Sequence, residues 1–229
     1  ATTEPETTYA YRVRAFNAGG TSAYSNEAGV TTPIAAPAVP TALAATSSVY
    51  TSVQLSWSDN SMTETAVHVE RQTGAGAWTE IAVLAAETTS YIDTAVTEST
   101  DYNYRVRAAN AGGFSAYSAT ASVTTPPAPP TAPTGLGVTA PTSVAANLTW
   151  TDTSMTETIF HIERSANGGA FVEIGTAPAN ATAYTDTTTQ PETAYAYKVR
   201  AANTGGMSDF SNEAAVTTPV AAPDAATGL

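Results

Sequence analysis

One alternating stretch, present three times, constrains this chain more than anything else in it. Tyr9-Ala10-Tyr11-Arg12-Val13-Arg14-Ala15 recurs as Tyr102-Asn103-Tyr104-Arg105-Val106-Arg107-Ala108 and again as Tyr195-Ala196-Tyr197-Lys198-Val199-Arg200-Ala201, at an interval of 93 residues. Each copy leads into an Asn-x-Gly-Gly turn, at Asn17, Asn110 and Asn203, and then into Val-Thr-Thr-Pro ending at Pro33, Pro126 and Pro219. Trp57 and Trp150, His68 and His161, Glu70-Arg71 and Glu163-Arg164, and Asp93 and Asp186 keep the same interval with no insertion. A fixed period separates an array of small units from one large domain. A unit of this length can bury a core of its own without disulfides or metals, so a tandem of domains is expected rather than a solenoid of interdependent repeats.

Within each period the apolar residues alternate with polar ones. Val53, Leu55 and Trp57 fall on one face of a strand, and Tyr102, Tyr104, Val106 and Ala108 on one face of another, with Asn103, Arg105 and Arg107 opposite. The second unit repeats this with a core of Leu148, Trp150, Ile162, Ile174, Tyr184, Tyr195, Tyr197, Val199 and Ala201. About seven short strands, turn signals roughly every 8 to 12 residues and no helical period anywhere are the pattern of an antiparallel β-sandwich. The last strand of the first unit is expected at about Ser115 to Thr124.

Four segments follow. Residues 1–33 form one hairpin, 34–126 and 127–219 complete units, and 220–229 a linker with the first strand of a further repeat. A lone hairpin is marginal in water, so the first segment is expected to need the remaining strands of its own sandwich, from a longer polypeptide or another molecule. Prolines at 33, 37 and 40 and the run Pro126-Pro127-Ala128-Pro129-Pro130 predict extended, semi-rigid linkers that space neighbouring units.

A net charge of −12, from 8 basic and 20 acidic residues, disfavours nucleic acid and anionic membrane surfaces, which bind through phosphate neutralisation. All eight basic residues sit at recurring strand positions and none forms a loop cluster. There is no run of about 18 apolar residues, so no bilayer-spanning helix is expected. The absence of cysteine removes disulfides, thiol catalysis and Cys-ligated zinc together.

The residues resemble the fibronectin type III family, in the variety common in secreted bacterial and archaeal proteins. The likeness rests on Leu55-Ser56-Trp57-Ser58-Asp59 with Glu64, on His68-Val69-Glu70-Arg71, on Tyr91-Ile92-Asp93, and on the run of alternating residues from Val96 through Asn110 and Gly113 to Ser115. It covers essentially the whole chain. It implies an all-β fold of tandem immunoglobulin-like sandwiches, with Trp57 and Trp150 and the signature-strand residues Tyr104 and Tyr197 as structural residues. Tyr102 and Tyr195 become corner tyrosines, whose hydroxyls tie the signature strand to the preceding loop. The Arg-Gly-Asp tripeptide of some animal members is absent, since Asn110-Ala111-Gly112-Gly113 stands in that loop.

Candidate sites divide between structural and ligand-binding readings. His68 and His161 are too far apart to share a metal, and they read as surface side chains beside the signature strand. Glu70 and Glu163 are expected opposite Arg105 and Lys198 as outward cross-strand ion pairs, worth roughly 0.2 to 1 kcal/mol each. Asp59, Ser61 and Glu64, with Asp152, Ser154 and Glu157, place two carboxylates in one loop without a glycine-centred ligand run, so they read as turn-closing residues and no metal is assigned. Trp78, Phe171, Tyr24, Tyr117 and Phe210 are aromatics that either stack on a sugar ring or cover the open edge of the core. Asn147 and Asn180 fit the N-glycosylation pattern, which arises easily by chance in a Thr-rich chain. No nucleophile, base and orienting group can be assembled, so neither catalysis nor a cofactor is expected.

The expected role is a non-catalytic, extracellular or cell-surface segment that spaces or assembles a larger structure, its partners being neighbouring repeats or copies in a filament-like assembly. The alternative is an accessory or adhesion module that contacts polysaccharide or a surface protein. The fold alone does not choose between them.

Overall fold

A computed structural model describes residues 3–223, so the part of the expected further strand beyond residue 223 lies outside the described residues. The chain divides into two compact units, 1–125 and 126–229. Among the described residues every strand pairing is antiparallel and there is no helix.

The first unit opens with a hairpin of β1 (Thr8–Tyr11), β2 (Phe16–Asn17), β3 (Gly20–Thr21) and β4 (Ala28–Thr31). Here the apolar positions stay in water. Tyr11 is 52% exposed, whereas Tyr104, at the same place one period later, is 0% exposed. The sandwich that follows comprises β5 (Thr41–Val49), β6 (Ser52–Ser58), β7 (Ala66–Thr73), β8 (Trp78–Ala85), β9 (Ser90–Asp93), β10 (Asp101–Asn110), β11 (Gly113–Phe114) and β12 (Ala121–Thr124). One sheet runs β5-β6-β9. The other runs β11-β10-β7-β8, with β12 also on β10. Val53, Leu55, Trp57, Val67, Val69, Tyr102, Tyr104 and Val106 fill the space between them.

The second unit repeats this with β13 (Thr134–Thr142), β14 (Ala145–Thr151), β15 (Ile159–Ala166), β16 (Val172–Pro178), β17 (Ala183–Asp186), β18 (Ala194–Asn203), β19 (Gly206–Met207) and β20 (Ala214–Thr217). Its sheets are β13-β14-β17 and β16-β15-β18-β19, with β20 on β18. Leu148, Trp150, Phe160, Ile162, Tyr197, Val199 and Ala201 are buried at its centre, while Ile174 and Tyr184 are only partly buried against it.

The return strand corrects a sequence expectation. It is not continuous from Ser115 to Thr124; it breaks between β11 and β12. Inward positions in this stretch come every third residue, at Ser115, Ser118 and Ala121, all buried. Ser115 N–H donates to the Ala108 carbonyl while its hydroxyl accepts from Ala108 N–H, and Ser118 does the same with Val106. A serine oxygen therefore takes the place of a strand carbonyl on β10, which suits a three-residue, polyproline-like rise. Ser208 and Ser211 repeat the device on Ala201 and Val199, and Ser22 and Ser25 on Ala15 and Val13.

A buried charge ties the two sheets together. Asp93 Oδ2, at the end of β9, accepts from Arg71 Nη1 at 2.8 Å and from the Tyr104 hydroxyl at 2.9 Å. Asp186 holds Arg164 at 2.7 Å and Tyr197 at 2.9 Å in the same way. Burial pushes the Tyr104 and Tyr197 phenols well above their ordinary range, and the adjacent carboxylates add to this.

Tyr102 and Tyr195 have their hydroxyls on the loop that precedes the signature strand. Thr97 N–H donates to the Tyr102 oxygen at 2.8 Å and Gln190 N–H to the Tyr195 oxygen at 2.9 Å. Tyr102→Phe is expected to cost about 1 kcal/mol, the net worth of one such bond, and to speed hydrogen exchange at the Thr97 amide selectively. Unchanged exchange there would mean that the bond does not hold the loop.

Candidate ligand-contact face

The outer face of the β7–β10 sheet carries the chemistry-bearing side chains because alternation sends every second residue there. His68, Glu70 and Gln72 on β7 lie in register with Arg107, Arg105 and Asn103 on β10. On β8 the pairing skips one residue between Val69↔Ala82 and Glu70↔Glu80. The spare residue is Ile81, which packs partly against the core, while Glu80 and Trp78 take outward places. A bulge of this kind re-aims the side chains beyond it. The second unit has the same irregularity at Ile174, between Ile162↔Gly175 and Glu163↔Glu173.

Trp78 and Tyr117 stand on either side of the Arg105 guanidinium, 4.2 and 3.7 Å from it. Arg107 lies 3.9 Å from the Phe114 ring and 4.6 Å from Tyr117. His68 meets Phe114 edge-on at 5.1 Å between centroids. Aromatic rings and cations thus alternate in one continuous ladder. In the second unit Lys198 lies 4.3 Å from Phe171 and 3.8 Å from Phe210, with Arg200 4.6 Å from Phe210. In the hairpin Tyr24 takes Arg12 at 4.0 Å and Arg14 at 5.0 Å. Desolvated contacts of this type reach about 2 kcal/mol.

Under the ladder sits Glu70. Its Oε2 accepts from Arg105 Nε at 2.8 Å and Nη2 at 2.6 Å, and its Oε1 accepts from the Tyr117 hydroxyl. Glu70 pairs across the strands with Arg105 as the alternation predicts, and it is buried there, with Trp78 and Tyr117 both against the same guanidinium. Burial pushes its carboxyl up, yet the Tyr117 hydroxyl and the Arg105 and Arg107 charges outweigh that and hold it below the usual carboxylate range. Glu163 has Lys198 at 3.2 Å and Arg200 at 3.3 Å; Phe210 replaces Tyr117 and brings no hydroxyl. His68 and His161 each face one glutamate, Glu80 at 2.8 Å and Glu173 at 3.0 Å.

Trp78, Tyr117, Phe171 and Phe210 are half-buried and Tyr24 is exposed. In the two sandwiches they cover a charged pair on the outer sheet face, not the open edge of the core. The intervening cations were invisible as stacking partners in the sequence, because the rings come from β8 and the return segment, far from β10 along the chain. Phe114 was missed for the same reason.

Each incoming linker is held by its own unit's Asn-x-Gly-Gly turn. Asn110 Nδ2 donates to the Ala35 carbonyl at 2.9 Å and the Thr63 carbonyl at 3.1 Å, and Asn203 Nδ2 to those of Ala128 and Thr156 at 2.9 and 3.2 Å. Gly112 and Gly205 lie so close to Ile34 and Pro127 that a Cβ on either would collide with the linker backbone.

The fold and this outer face define a tandem of immunoglobulin-like β-sandwich modules. Residues 131–217 match the family model described as fibronectin type III domain, and the first unit carries the same signature residues and sheet order 93 residues earlier. The chain thus carries a fibronectin type III domain in its second unit and the same signature residues and strand order in its first. It is 37% identical over 93% of its length to exoglucanase B of Cellulomonas fimi, and it spans about a fifth (20%) of that curated relative's length. Among solved structures, the chicken CNTN1 FN1-FN3 domains are 22% identical, with a TM-score of 0.48 over 94% of this chain and 78% of that one. Domains A168-A170 of titin are also 22% identical, with a TM-score of 0.47 over 92% and 74%. Among the described residues no helix is long and apolar enough to cross a membrane.

Proposed function

We propose that this tandem is a spacer segment of a secreted multi-domain protein, holding its neighbours at set positions rather than contacting polysaccharide or a surface protein itself. The observation that carries this reading is the ladder: Trp78, Tyr117, Phe171 and Phe210 are each stacked on an arginine or lysine of the same unit. A ring already covered by a partly buried cation offers a sugar no free platform, and uncovering it would break the ion pair beneath. The clamped linkers support the same role, since a spacer needs its connections ordered. Likeness to an exoglucanase supports setting the segment in a polysaccharide-degrading enzyme.

The second reading is an accessory module that contacts polysaccharide or a surface protein, and the partial exposure of Trp78 favours it. Depletion of the protein by insoluble cellulose, with tryptophan fluorescence followed on adding soluble β-glucan, separates the two. A spacer gives neither depletion nor a spectral change. Saturable depletion that Trp78→Ala removes would sink the spacer reading and establish the accessory module.

A further inference from the structure

We propose that Asp59, Glu64 and Glu87 of the first unit form a calcium-binding site. One carboxylate oxygen from each lies within 4.8 Å of the others. Asp59 follows β6, Glu64 precedes β7 and Glu87 lies between β8 and β9, so the cluster joins connections from both sheets. The sequence pattern counts only two carboxylates in one loop; folding brings the third from 23 residues further on.

Half of this carboxylate chemistry is accounted for within the protein. Asp59 Oδ1 accepts from Ser61 N–H at 3.0 Å, closing a turn, and Glu64 Oε1 accepts from Glu87 N–H at 3.1 Å. The second oxygen of each of these two residues has no hydrogen-bond donor. Glu64 is only 7% exposed, and its Oε2 is buried without a hydrogen bond, as is Asp59 Oδ2. A buried carboxylate oxygen left unpaired is costly unless a proton or a cation meets it.

The donor set selects the metal. All three groups are hard oxygens, with no histidine or cysteine among them, which disfavours zinc. Calcium accepts irregular geometry and completes six to eight oxygens with water, whereas magnesium demands a near-ideal octahedron. Exposed Glu87 leaves the site open to solvent on one side. The second unit contains an internal control. Asp152 and Glu157 recur there, and Glu157 Oε2 is likewise buried without a hydrogen bond, but Asn180 stands where Glu87 is, and among the described residues no third acidic or histidine ligand joins them.

The test is calorimetric titration of the whole chain with calcium chloride. One equivalent is expected to bind, with a dissociation constant of roughly 10⁻⁴ to 10⁻³ M, the range of extracellular calcium modules. Glu87→Asn should weaken binding at least about tenfold, because ligand charge sets affinity. That variant should stay folded, since Glu87 has φ of 60° and Asn180 adopts 61° at the matching position. Asn180→Glu should add a second equivalent. No binding at about ten times the upper end of that range, or binding that neither substitution alters, would overturn the site. Equal affinity for magnesium chloride would overturn its assignment to calcium.

Discussion

Asp186→Ala is expected to destabilise the second unit by about 3 to 5 kcal/mol, the largest effect of any single substitution considered, because it strands a buried charge. Asp186 is 2% exposed and receives four donors: Arg164 Nη1, the Tyr197 hydroxyl, and the Thr188 amide and hydroxyl. Alanine would leave a fully buried phenol without its acceptor and the guanidinium with the Thr188 hydroxyl in place of a carboxylate. Asp186→Asn keeps an acceptor and loses only the charge, so it should cost distinctly less. Hydrogen exchange read at Ile162 and Val199 measures the second unit directly, with Val69 and Val106 of the first unit as an internal reference. A loss below about 1 kcal/mol would place this carboxylate with ordinary surface ion pairs.

The same group gives a pH profile with a definite sign. Burial pushes the Asp186 carboxyl up, but the Thr188, Arg164 and Tyr197 donors outweigh it and hold the folded value below the ordinary one. A carboxyl lowered on folding stabilises above its unfolded value, about 3.9, and that contribution disappears as pH falls through the folded value. The Tyr197 phenol is raised on folding, so its contribution is complete below about pH 10 and is lost as pH climbs towards the folded value. Stability of this unit should hold steady between those limits as far as this pair is concerned. Asp186→Ala should remove the acid-side loss that belongs to this carboxyl.

Gly205→Ala is expected to cost about 1 to 3 kcal/mol through overpacking, or to release the linker at an equivalent cost. The new Cβ would collide with the Pro127 carbonyl, a backbone atom that cannot rotate out of the way as a side chain would. If the linker gives, the Asn203 bond to Ala128 opens. NMR relaxation of Ala128, Thr131 and Ala132 would then show new motion on the nanosecond scale, while the core amides keep their protection. If the turn gives, the core loses protection and the linker stays ordered. No change in either would show that the turn does not clamp the linker. Gly206, with φ of 135°, tests something different, since any side chain there is strained by the backbone itself.

Much of the fold was legible in the chain because burial alternates along a strand, and alternation is a local property. Val53, Leu55 and Trp57, like Tyr102, Tyr104, Val106 and Ala108, announce their inward face by spacing alone, and all are buried. The return segment broke this rule. Ser115 and Ser118 look like ordinary strand residues, yet their hydroxyls replace strand carbonyls and change the spacing from two to three.

By itself the sequence determined the 93-residue unit, the antiparallel sandwich and the inward residues, since each follows from a repeat or a period that neighbouring residues carry together. Which side chains meet was decided only in three dimensions. Trp78 reaches Arg105 through a one-residue bulge on β8, Asn110 reaches Ala35 across 75 residues, and Glu87 reaches Asp59 and Glu64 from another connection. Partners so far apart in the chain are brought together by strand register and turn geometry, and a shift of one residue in pairing would send a strand side chain such as Trp78 to the opposite face.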